Sequence, residues 1–111
     1  MIVKKLINTK VEGNIEITKR EIKEVPKEDE KKIMDFVFET IDDDGDPESS
    51  YSKGLGEDFN GDVVWINFDM LRKSIEERQK FLNEEGEIED YEYEKNKEIL
   101  PVLNKYKGFV F

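Results

Sequence analysis

The chain has 111 residues with a formal net charge of −10, 36% hydrophobic and 41% charged residues, seven Phe, four Tyr and one Trp; this suits one folded domain with a single core and excludes wholesale disorder. It has no Cys and no His, which excludes a disulfide framework, thiolate metal sites and the commonest general base and transition-metal ligand. The N-terminus "MIVKKLINTK" lacks the apolar core of a secretory signal and the longest uninterrupted apolar run, "VVWI", cannot span a bilayer, so the expectation is a cytoplasmic protein with no membrane contact.

Residues 1–24 carry the alternation of a β-hairpin. With "EGN" (Glu12, Gly13, Asn14) as a three-residue loop, Val11 faces Ile15 and Thr9 faces Ile17; Val3, Ile7, Thr9 and Val11 then share a face with Ile15 and Ile17, and Ile2 and Leu6 point the other way. The alternation breaks after Ile17 and resumes on the opposite parity at Ile22, which places a bulge or fraying near Lys19 and Arg20. Pro26 followed by "KEDE" opens a helix, and Ile33, Met34, Phe36, Val37, Phe38 and Ile41 form its apolar arc until the aspartates begin. Residues 42–61, "DDDGDPESSYSKGLGEDFNG", show no periodicity and read as a long acidic loop. "DVVWINF" puts apolar groups on both faces and predicts an interior strand containing Trp65. Asn67 or Asp69 caps the next helix, whose stripe Phe68, Leu71, Ile75, Arg78, Leu82 contains an arginine that needs a carboxylate or a route to water. That helix stops at Gly86, and a third pattern runs through Ile88, Tyr91, Ile99, Val102 and Tyr106, interrupted by Pro101 with a break or kink expected near Leu100. The tail "GFVF" closes the sheet as a short last strand. The order ββαβααβ is an α+β domain covering residues 1–111.

The charge is not evenly spread. Residues 1–32 carry nine Lys/Arg against seven Asp/Glu, residues 70–111 eight against ten, and residues 33–69 one against eleven. The whole net charge therefore resides in the middle segment, whose single cation is Lys53. Calcium loops of the EF-hand type need a turn glycine at position 6 and a closing glutamate at position 12. Starting from Asp42, those positions hold Pro47 and Lys53. A second start at Asp58 also fails, with Val63 at position 6. An irregular Ca²⁺ or Mg²⁺ site built from these carboxylates is one alternative, and a metal-dependent enzyme using them is another; the isolated pair Glu21 and Lys23 lacks the upstream acidic companion a nuclease needs. No phosphate loop, nucleophile elbow or HExxH motif is present, so the expectation is no enzyme and no cofactor.

Direct nucleic-acid binding is disfavoured, because the lysines are interleaved with glutamates. A compact acidic surface fits the opposite role, engaging a basic, nucleic-acid-handling partner with carboxylates standing where phosphates would. The expected function is a small non-catalytic inhibitor of the anti-CRISPR, anti-defence kind, acting by nucleic-acid mimicry; the alternative is an immunity protein or antitoxin against a basic toxin. The expected contact residues are Glu39, Asp42, Asp43, Asp44, Asp46 and Glu48, then Glu57, Asp58 and Asp62, with Tyr51 and Phe59 as the aromatics that lie outside any core periodicity.

Overall fold

The computed structural model describes residues 1–44, 54–57, 60 and 62–111, with the backbone alone for residues 40–44 and 57. Strands β1 (Ile2–Glu12) and β2 (Ile15–Glu24) form a hairpin, α1 spans Lys27–Asp44, β3 (Leu55–Glu57) pairs with β4 (Val63–Ile66), and α2 (Phe68–Glu84) and α3 (Tyr91–Asn104) follow. This is an α+β domain of two antiparallel hairpins and three helices.

The C-terminus joins the two hairpins. Val110 exchanges both backbone hydrogen bonds with Lys4 of β1 (2.8 and 2.9 Å), and Phe111 does the same with Ile66 of β4 (2.8 and 3.1 Å). Successive residues of an extended segment turn their N–H and C=O to opposite edges, so two residues suffice to hold a strand on each side. The expected closing strand is therefore present, in minimal form.

Beneath it lies one core. Ile33, Phe36 and Val37 of α1, Phe68, Leu71 and Ile75 of α2, and Ile99, Val102 and Leu103 of α3 meet Val3, Ile66, Tyr106 and Phe109. The helices form where the periodicity places them, and their ends follow local chemistry. The Asn67 side chain caps α2 by accepting from the Met70 N–H (3.0 Å). Gly86 leaves α2 at φ +74, where the Glu87 N–H returns to the Leu82 carbonyl (2.8 Å). Arg78 finds its carboxylate in Glu92 of α3, by two bonds of 2.7 and 3.2 Å.

Five expectations are corrected. The loop at 42–61 is shorter than its composition implied: α1 runs on through Asp44, and Leu55–Glu57 form β3. The hairpin turn has two residues, Gly13 at φ +63 and Asn14, so Glu12 faces Ile15 and Val11 faces Glu16. Glycine at the first central position with positive φ is the II′ solution, whose twist matches the strands better than a three-residue loop. Val11 consequently lies on the face opposite Ile15 and Ile17. The bulge is at Ile7 of β1, between the pairs Leu6 to Arg20 and Asn8 to Lys19; the level was right and the strand wrong. Pro101 does not break α3. It sits on the exposed side of α3, as does Lys97, whose carbonyl would have received the missing N–H.

The fifth correction concerns Trp65. β4 is interior in hydrogen bonding, with β3 on one edge and Phe111 on the other. It is not covered on both faces, because Trp65 is 38% and Val64 55% exposed. Trp65→Ala is accordingly expected to cost about 1–2 kcal/mol rather than the 3–5 of a buried aromatic; chemical denaturation of the two proteins measures it.

Candidate functional site

Four of the nine carboxylates expected at the contact, Glu39, Asp42, Asp43 and Asp44, belong to α1. Its buried positions Asp29, Ile33, Phe36 and Val37 recur at helical spacing and fix which side faces the core. Asp35, Glu39, Asp42 and Asp43 recur at i, i+4, i+7 and i+8, so the same helix lines them along one side of its C-terminal half. Asp42, Asp43 and Asp44 form the last turn, which contains no basic residue. The negative end of the helix dipole thus coincides with three carboxylates, an arrangement unfavourable to the helix itself.

Glu39 is exposed and holds Lys95 of α3 at 2.7 Å, while the Lys95 ammonium lies 5.1 Å from the centre of the Phe36 ring. These residues belong to an open groove of about 500 Å³ between α1 and α3, floored by Phe36 and Ile99 and walled by Lys32, Asp35, Tyr91 and Glu98. Lys95 therefore offsets part of the negative charge that α1 carries. Asp62 stands exposed just before β4, and Glu57 closes β3 opposite Val63. Asp46, Glu48, Tyr51, Asp58 and Phe59 lie outside the described residues, and of Asp42, Asp43, Asp44 and Glu57 only the backbone is described. Among the described residues no three carboxylates converge as metal ligands would.

Trp65 was missed as a surface residue. An aromatic in an apolar run reads as core from sequence, and only the shortness of the run, four residues in "VVWI", hinted that one face was left open.

The strongly perturbed titratable pair lies elsewhere and is structural. Tyr106, buried after α3, donates its hydroxyl to Asp29 Oδ2 at 2.7 Å, and Lys105 Nζ stands 3.2 Å from the same oxygen. The hydrogen bond from Tyr106, reinforced by Lys105, holds the Asp29 carboxyl below its ordinary range against the opposing effect of burial. Burial first, and the bond to Asp29 second, push the Tyr106 phenol up to about 12. A phenol so held keeps its proton, which suits a fastening between α1 and the C-terminal segment and not proton transfer.

Among the described residues no helix is long and apolar enough to cross a membrane. The chain matches no protein-family model, no curated protein and no solved structure.

Proposed function

We propose that this protein is a small non-catalytic inhibitor that binds a basic surface on a nucleic-acid-handling protein, with the C-terminal end of α1 and the acidic segment after it as the contact. The observation that carries this reading is the placement of Asp42, Asp43 and Asp44 in the last turn of α1 without a basic residue in that turn. Carboxylates at the negative end of a helix raise the energy of the isolated protein, and a basic partner relieves that repulsion on binding. The concentration of charge in residues 33–69, eleven acidic against one basic, extends the field beyond single contacts and accelerates encounter with a cationic groove. Partly exposed Trp65 and Val64 of β4 supply apolar surface of the kind that anchors such interfaces.

The test is capture of partners from a cell extract by the wild type and by the variant Asp42→Asn, Asp43→Asn, Asp44→Asn, Asp46→Asn, followed by competition with duplex DNA. The fold of the variant is expected to survive, since it removes repulsion at a helix end. The wild type is expected to retain one or more basic proteins that the variant loses, with association slowed by added salt and blocked by DNA. Equal capture by the two proteins sinks the proposal. A captured basic toxin that DNA does not displace would instead mark an immunity protein.

A further inference from the structure

The hairpin is the part of the molecule least explained by its own fold. The radius of gyration is 16.1 Å and the long axis 57 Å against 31 and 29 Å, whereas a compact chain of this length has a radius near 13 Å. All ten residues of β2 are exposed. Leu6, Ile7, Val11, Ile15, Ile17 and Ile22 are 47–69% exposed, on both faces of the ribbon. Among the described residues, β2 pairs with β1 alone. Such a long free edge with apolar flanks invites addition of another strand.

Its open hydrogen-bonding positions follow from the turn. A two-residue loop makes Glu12 and Ile15 a bonded pair, so odd-numbered residues of β2 address β1 and even-numbered ones address the free edge. The Val25 N–H bonded to the Met1 carbonyl (2.9 Å), and Lys4 bonded outward to Val110, agree with that alternation. Glu16, Thr18, Arg20 and Ile22 therefore offer their backbone groups to a newcomer.

We infer that the newcomer is a second copy of this chain, with β2 pairing antiparallel to its own symmetry mate about Thr18. In that register Glu16 faces Arg20 of the mate, twice by symmetry, Thr18 faces Thr18, Ile17 faces Lys19 and Ile15 faces Glu21. No like charges oppose each other. Moving the centre to Lys19 or Arg20 sets two lysines or two arginines face to face, and moving it to Ile17 shortens the overlap and forfeits both ion pairs. Within one chain Glu16 and Arg20 form no ion pair among the described residues. The charge distribution favours antiparallel over parallel pairing of the two hairpins: residues 1–24 carry six Lys/Arg against four Glu, and residues 25–111 twelve against twenty-four Asp/Glu. Antiparallel pairing joins the two basic arms and leaves the two acidic bodies at opposite ends of a four-stranded ribbon, where their repulsion is screened. This inference is independent of the partner proposed for α1.

Sedimentation equilibrium of the full chain from about 1 µM to about 1 mM tests it, with circular dichroism to confirm folding of each variant. The wild type is expected to approach twice its 13.1 kDa mass. Glu16→Arg and Arg20→Glu are each expected to weaken dimerisation by about tenfold or more, and the double exchange to restore it. A wild type that stays monomeric throughout overturns the inference. So does a dimer strengthened by Glu16→Arg, which would mean that the basic arm docks on the acidic body. A double exchange no better than the single variants also overturns it.

Discussion

Tyr106→Ala should be among the most damaging single substitutions, lowering stability by about 3–5 kcal/mol, a large part of the roughly 5–15 kcal/mol that holds a domain of this size. The ring is 1% exposed and packs on Phe68 at 5.6 Å between centroids, and its hydroxyl is bonded to a carboxylate that is itself buried. Truncation therefore opens a cavity and removes the Tyr106 hydrogen bond to Asp29. Tyr106→Phe isolates the second effect and is expected to cost about 1.5–3 kcal/mol, the range for hydrogen bonds to charged groups.

The phenylalanine variant also predicts a pH dependence. Asp29 titrates lower in the folded protein than its ordinary value of 3.8, so its stabilisation is fully present above that value and is lost as the pH falls through the folded pKa. Tyr106 titrates near 12 when folded against 10.0 ordinarily, so its contribution is complete below 10 and lost as the pH rises toward 12. The stability difference between wild type and Tyr106→Phe should be level between these limits and shrink outside them. Urea denaturation at intervals of pH measures it; a difference that stays level down to about pH 2 would mean that the Asp29 bond contributes nothing.

Gly54→Ala is the other substitution with a large expected effect. A Cβ at Gly54 would stand 2.6 Å from the Leu71 backbone nitrogen and 2.8 Å from its Cα. Those atoms belong to the first turn of α2 and cannot yield as a side-chain tip would. The Gly54 carbonyl also accepts the Asn67 N–H at 2.9 Å, so displacing it loosens the junction of β4 with α2. A loss of about 1–3 kcal/mol or more is expected, read as a lowered denaturation midpoint. By contrast, Gly13→Ala meets no atom within 4 Å and carries only the strain of a positive φ.

Much of the architecture could be read from local signals. Core spacing in α1, the Asn67 cap, the stop at Gly86 and the need of Arg78 for a carboxylate are each decided within a few residues. The acidity of residues 33–69 is likewise a matter of composition, and so is the absence of any Cys or His chemistry. Tertiary structure decided what depends on partners distant in the chain. β3 exists because Gly54 lets "LGE" close against β4 and α2, which no propensity of three residues could announce. Trp65 is partly open because, among the described residues, one side of β4 is only partly covered, and Asp29 is buried because Tyr106 and Lys105, 77 and 76 residues away, come to meet it. The hairpin register turned on one residue of loop length, and with it the face on which Val11 stands. Local patterns record which side of an element is apolar; which other element covers that side, or leaves it open, is a balance of long-range contacts that only the folded chain brings together.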